Sequence, residues 1–364
     1  MQTERNTYRV VRLAGRPIIA TPAKPLALRL AGLSQYPPNT KKRALLRSAL
    51  RLAAIGRIDR LVARTSATPF ESGEDFGFPE WISEARRLLG VPAAVATIIW
   101  PQLVRRKRVY VHLLSPAGAP LAFCKIGLDA VNAARLRNEI DALTVLHERQ
   151  LALTSVPRVL HHDLAVQHPF VMYEPFPSDL KPLKHSWGEL APSVAEISGD
   201  IRRINRAELE RCDWWLRFAR EGWRLSAEFR SDVEHTVFPV AVCRVQGDAT
   251  PSNIFRSRDG IWICDWEHSS ASGPRRTDEL SYYLAANHYQ CLLRPAAMLD
   301  ACLLRFAPAR DRASMEELAL ALAFLCGRND PRALKIASRW RSPICAHRQS
   351  AFPIEPASLP YRAP

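Results

Sequence analysis

No apolar run in these 364 residues approaches the roughly 18–20 needed to span a bilayer, and the N-terminus has no uninterrupted apolar block of the kind that opens a secretory signal. Eight cysteines are present, but none form a C-x-x-C pair and most sit among apolar neighbours. They read as reduced core thiols of a cytoplasmic protein. Internal repeats and low-complexity tracts are missing as well. Acidic residues are nearly missing from the first 64 positions: two stand against fourteen Lys and Arg, so that stretch carries +12 of the formal +15 and the other 300 residues are almost balanced. This asymmetry describes a basic arm on a near-neutral globule. Nucleic acid is not an expected partner, because aromatic residues are not interleaved with the charges as base stacking requires.

What is there suffices for about two ordinary domains, with a hydrophobic fraction of 47% and no need of a structural metal. Pro17, Pro22, Pro25, Pro37 and Pro38 predict irregular or short elements over the first forty residues, with Thr40 placed to cap a helix. Over Lys41–Ile55, Arg43, Arg47 and Arg51 recur on one face while Leu45, Ala49, Leu52 and Ala53 share another. That helix is open to packing on the rest of the protein, to lying on an anionic membrane surface, or to binding a phosphorylated partner. Gly56 ends or bends it, and Ser66–Pro79 reads as a linker.

Strand-like segments follow at Ala93–Trp100, Arg108–Leu114 and Leu121–Ile126, then a helical pattern over Asp129–Gln150, then strands at Pro157–Leu160 and Phe170–Tyr173. Five antiparallel strands with a helix after the third form an α+β unit. Beyond Pro177 the pattern is mostly helical, broken by Val240–Val245, Asn253–Phe255 and Ile261–Cys264. His161, His162 and Asp163 do not suggest a metal site, since adjacent strand residues face opposite ways. Trp214, Trp215 and Trp223 fall on predicted helices and read as core.

The segment Val245-Gln246-Gly247-Asp248-Ala249-Thr250-Pro251-Ser252-Asn253, followed by Ile263-Cys264-Asp265-Trp266-Glu267, carries the chemistry. A carboxylate, an amide five residues later and a second carboxylate closing a short apolar strand supply the hard oxygen groups that phosphoryl transfer uses for an acceptor proton and for Mg²⁺. This pattern resembles the H-G-D-x-x-x-x-N and D-W-E motifs of the aminoglycoside phosphotransferase and choline kinase family, with Gln246 where that family has His.

The resemblance implies a two-lobed protein-kinase-like fold: a basic extension at 1–90, a small lobe of five antiparallel strands at 91–177, a helical lobe at 178–340 and a tail at 341–364. It implies Asp248 as the catalytic base, Asn253 and Asp265 as Mg²⁺ ligands, and Lys125, held by Glu139, on the phosphates of ATP or GTP. It makes Glu174-Pro175-Phe176 the adenine hinge, with the Glu174 carbonyl accepting, the Phe176 N–H donating, and Tyr173 or Met172 behind the base; Pro175 has no N–H to offer. The resemblance covers roughly positions 95–290.

Asp278 is expected to cap the next helix and brace the loop. Glu267 and His268 receive no catalytic role. The loop Pro101–Lys107 contains no glycine to cradle phosphate; its Arg105, Arg106 and Lys107 read first as a solvated basic turn, with contact to phosphate by charge as the alternative. The implied activity is transfer of a γ-phosphate to a hydroxyl of a small molecule. The alternative is an inactive nucleotide-binding or scaffold relative, and peripheral membrane contact through the basic helix is a further expectation.

Overall fold

Alternating apolar residues along Arg108–Leu114 and Pro120–Gly127 sort onto the two faces of one sheet. Val109, Val111, Leu113, Ala122, Cys124 and Ile126 enter one core, while Tyr110, His112, Phe123 and Lys125 turn to the opposite face, where a cavity opens. The computed structural model describes residues 7–35, 41–56, 63–66, 69–70, 77–101, 107–183, 187–222 and 225–341. It divides into two compact units, Met1–Lys184 with Ser252–His268, and His185–Pro251 with Ser269–Pro364. Thr40, Arg105, Arg106, Trp223 and the tail from 342 onward lie outside the described residues, as does most of the expected linker.

The first unit opens with strands β1 (Tyr8–Leu13) and β2 (Arg16–Pro22), helices α1 (Leu26–Ser34) and α2 (Lys41–Ile55), strand β3 (Ala63–Ser66) and helix α3 (Phe78–Leu89). Next come β4 (Val95–Ile99), β5 (Arg108–Leu114), β6 (Pro120–Gly127) and helix α4 (Ala130–Glu148). Four short strands follow: β7 (Thr154–Ser155), β8 (Val159–Asp163), β9 (Phe170–Tyr173) and β10 (Lys181–Pro182). The second unit then takes α5 (Trp187–Ser198), β11 (Arg202–Ile204), α6 (Arg206–Glu210), α7 (Asp213–Glu221), α8 (Ala227–Glu234) and β12 (Val240–Val245). Strands β13 (Ile254–Ser257) and β14 (Gly260–Ile263) belong to the first unit. The second resumes with β15 (Ser270–Pro274), α9 (Thr277–Ala286), α10 (His288–Leu293), α11 (Pro295–Phe306), α12 (Arg312–Gly327) and α13 (Pro331–Ala337).

The first unit's main sheet has eight strands in the order β3-β1-β2-β4-β5-β6-β9-β8, not five, and every pairing in it is antiparallel. Of the three extra strands, β3 follows helix α2, and β1 and β2 come from the segment expected to be irregular. Its prolines are placed where a strand tolerates them: Pro17 lies opposite Arg12 beside a shift of register, Pro22 ends β2, and Pro25 precedes α1. Helix α3 covers one face of the sheet through Phe78, Trp81 and Ile82, while α1 and α2 cover part of the other through Leu33, Leu50 and Ala54.

Helix α2 packs by a different face from the one expected. Leu50 is 7% exposed and Ala54 is buried, whereas Leu45 and Leu52 are 73% and 68% exposed. The helix has two apolar stripes, Leu46-Leu50-Ala54 and Leu45-Ala49-Leu52, and periodicity alone does not rank them. The complementary sheet surface of Val11, Ile19 and Ile99 selects the first.

Strands β13 and β14 form a hairpin whose turn needs Gly260: φ is +121°, and a Cβ there would stand 2.6 Å from the Leu153 carbonyl oxygen. The close approach lets β14 pair in parallel with β7 and delivers Asp265 just beyond the strand end. In the second unit, β11-β12-β15 form an antiparallel sheet beside a helical core centred on α12, which is buried from Met315 through Gly327 apart from Glu317, which is only partly exposed. Trp214, Trp215 and Phe218 of α7 enter that core, as expected for the two tryptophans. The seven described cysteines are all free thiols, five of them buried.

The choice of face on α2 sets a stability contrast. Leu50→Ala is expected to cost about 2–4 kcal/mol and Leu52→Ala less than about 0.5 kcal/mol, read from urea unfolding midpoints. Equal losses at the two positions would contradict this packing.

Candidate functional site

The Nζ of Lys125, on β6, donates to both carboxylate oxygens of Glu139 on α4, at 2.9 and 2.8 Å, and to Oδ1 of Asp265 at 2.8 Å. Three residues separated by up to 140 positions are thus joined by direct bonds. Asp129 caps α4 by accepting the Asn132 N–H, and the helix then clamps the segment after β14. Glu139 accepts the Trp266 N–H at 3.3 Å, and the Asn138 side chain donates to the Glu267 carbonyl at 3.1 Å. These bonds hold Asp265 at φ +63°, a left-handed conformation that a non-glycine residue adopts only when its surroundings impose it.

Behind this triad lies a second buried pair. Arg108 Nη2 stands 2.6 Å from Glu267 Oε2, with the two side chains 3% and 2% exposed. Burial alone would raise the Glu267 carboxyl, but the hydrogen bond from His268 and the charges of Arg108 and Lys125 outweigh it and keep it well below the usual range. Burial would likewise strip the proton from Lys125, yet Asp265 and Glu139 hold its ammonium well above the ordinary lysine range. Glu139 moves up, driven by burial and by the neighbouring Asp265 and Glu267 in spite of Lys125. Three carboxylates face two cations, which leaves an excess of negative charge.

A cavity of about 560 Å³ opens beside Lys125, Glu139, Asp265 and Asn253. Its apolar wall is aromatic: the Phe176 ring lies 4.7 Å from Phe123 and 4.8 Å from Trp262, and Phe123 is 5.9 Å from Tyr173 in a stacked arrangement. Phe176 therefore lines the cavity with its ring. Glu174 does not line it; its carboxylate pairs with Arg158 at 3.2 Å and its N–H donates to the Arg158 carbonyl. The residues expected to hold a metal, Asn253 and Asp265, share this cavity. One carboxylate and one amide oxygen beside surplus negative charge suit Mg²⁺, which keeps most of its waters and takes few protein ligands.

Asp248 belongs to the second unit, and its loop is braced by three hydrogen bonds to two side chains. The Gln246 side chain accepts the Asp248 N–H at 2.7 Å. The N–H groups of Gln246 and Gly247 donate to the two carboxylate oxygens of Asp278, both at 2.8 Å. Gly247 turns the loop at φ +79°. The Gln246 amide oxygen thus braces the loop. Asp278 braces the loop as expected but does not cap α9: Arg276, in a left-handed conformation, stands at that position and Asp278 falls in the first turn. The Asp248 carboxylate itself pairs with Arg328.

Sequence reasoning missed Arg108 and Arg328. A basic residue after Arg105-Arg106-Lys107 looks like more of a solvated turn, and Arg328 stands 80 positions from its partner, so no spacing announces it.

No protein-family model matches the chain, and neither does any curated protein. Solved structures do resemble it. A thermostable mutant of the aminoglycoside phosphotransferase APH(4)-Ia is 12% identical over 75% of this chain and 99% of that one, with a TM-score of 0.40. An aminoglycoside-3'-phosphotransferase of type VIII is 14% identical over 69% and 100%, with a TM-score of 0.41. A putative fructosamine-3-kinase from Haemophilus somnus 129PT is 15% identical over 66% and 96%, with a TM-score of 0.35.

Two measurements check the electrostatics. Lys125→Met leaves Glu139 buried without its cation and is expected to cost about 3–5 kcal/mol in urea unfolding, part of it regained when Glu139→Gln is added. No recovery in the double variant would contradict the pairing. Burial, opposed by its two backbone hydrogen bonds, raises the Asp278 carboxyl to about 6. Because this folded value exceeds the unfolded one of about 3.9, the native state holds the proton more tightly, and the stability it contributes is full below about pH 4 and lost, up to about 3 kcal/mol, as pH rises through 6. The Asp278 carboxyl carbon, assigned by its disappearance in Asp278→Asn, should titrate near pH 6 by NMR; a midpoint near 4 would contradict its burial.

Proposed function

We propose that this protein is a Mg²⁺-dependent phosphotransferase that moves the γ-phosphate of ATP or GTP to a hydroxyl of a small molecule. The observation that carries the reading is the ammonium of Lys125 bonded at once to Glu139 and Asp265 inside a cavity that Asn253 also lines. Lys125, aimed by Glu139, binds the α- and β-phosphates. The purine lies against Phe123, Phe176 and Tyr173, with the Phe176 N–H donating to it. Asp265 and Asn253 would hold Mg²⁺, which neutralises charge on the phosphates when bound. Asp248 accepts the proton of the acceptor hydroxyl while that oxygen forms its bond to the γ-phosphorus and the bridging oxygen leaves with the nucleoside diphosphate.

The pair between Asp248 and Arg328 favours a second reading, an inactive nucleotide-binding or scaffold protein whose catalytic carboxylate is permanently engaged. Release of ADP across a panel of sugar, amino alcohol, antibiotic and lipid-linked acceptors separates the two. For the enzyme, Asp248→Ala should lower turnover about 10²–10⁴-fold and leave Mg-ATP affinity within about twofold. Turnover untouched by that substitution would dismiss Asp248 as the base, and nucleotide binding without turnover on every acceptor would favour the scaffold.

The outward stripe of α2 adds a proposed partner. Leu45 and Leu52 are exposed on a helix whose sequence holds five basic and no acidic residues, a combination suited to an anionic phospholipid surface. The full chain should co-sediment with phosphatidylserine vesicles, less so at high salt, and Leu45→Ser with Leu52→Ser should abolish this. Equal sedimentation with neutral vesicles would speak against it.

A further inference from the structure

The cavity beside Lys125 has a wall that the motifs do not account for, made by Ser34 and Gln35 at the end of α1 and by Arg47 on α2. Among the described residues two cations line the cavity, Lys125 and Arg47. Lys125 is matched by two carboxylates. Arg47 is half-buried, its Nη1 makes one long hydrogen bond to the Ser34 carbonyl at 3.4 Å, and among the described residues no carboxylate pairs with it. A half-buried guanidinium with one long hydrogen bond among the described residues suits an oxyanion, which its planar fork matches. The loop Pro101–Lys107, where backbone amides would otherwise cradle phosphate, holds no glycine.

We infer that Arg47 binds the phosphate groups of the nucleotide, so that the N-terminal basic segment adds a second cation to Lys125 in the site. The inference rests on the nucleotide reading above and extends it. Charge-assisted contact of this kind predicts a dependence on the number of phosphates and none on the nucleoside. It also separates two roles on one helix, since Arg51, one turn on, is exposed and absent from the cavity wall.

The test is calorimetric titration of the full chain with Mg-ATP, Mg-ADP, adenosine and inorganic triphosphate, using wild type, Arg47→Gln, Arg47→Lys and Arg51→Gln, each checked for an unchanged unfolding midpoint. Arg47→Gln should weaken ATP and ADP about 10- to 100-fold and leave adenosine within twofold. Arg47→Lys should fall between the two, and it carries the test if the Gln variant unfolds. Arg51→Gln should match wild type. ATP affinity unchanged in Arg47→Gln, or adenosine and ATP weakened equally, overturns the inference while the nucleotide reading stands. A wild-type chain that ignores nucleotides but binds inorganic triphosphate through Arg47 overturns the nucleotide reading and keeps the anion site; a chain that binds none of the four overturns both.

Discussion

A buried lysine cannot remain charged without company, and much of the first unit is arranged to keep Lys125 charged. Glu139 reaches it from α4, Asp265 from beyond β14, and Arg108 and Glu267 form a second shielded pair alongside. Each partner is itself positioned: α4 by the Asp129 cap, Asp265 by a hairpin that only glycine turns at position 260, and the 265–267 segment by bonds to Asn138 and Glu139. The outcome is a fixed ammonium and a partly exposed carboxylate facing the cavity.

The N-terminal segment changes the meaning of that cavity. Its strands extend the sheet that carries Lys125, and its two helices cover the face that Tyr110, Phe123 and Lys125 share. A basic arm judged by charge alone looks like an appendage to the fold. In three dimensions its charges part company: Arg47 turns toward the cavity, Arg51 toward solvent, and the apolar stripe of Leu45 and Leu52 is left outward.

In the second unit the Asp248 loop is braced by the oxygens of Gln246 and Asp278. An imidazole and a carboxamide both offer an acceptor at side-chain reach, and Gln246 uses its oxygen to take the Asp248 N–H. Asp278 satisfies the two preceding N–H groups, so this buried turn has no orphaned donors at those positions. The pair of Asp248 with Arg328 supplies the counter-charge that a half-buried carboxylate needs.

Residues close in sequence or periodic along it were legible without a structure: strands β5 and β9 fell on their expected residues and α4 began next to its expected start at Asp129, whereas Lys125 with Glu139 were named from the family resemblance. Alternation and capping are local properties, so the chain alone determined them. Tertiary structure decided the rest, because each remaining choice was made by a distant surface. The extra strands needed β4 as a neighbour, the packed face of α2 needed the groove around Ile99, and Arg108, Arg328 and Arg47 acquired meaning only from Glu267, Asp248 and the cavity wall. A charge read along the chain has no partner until folding brings one within a few ångströms, and burial then makes that partner indispensable.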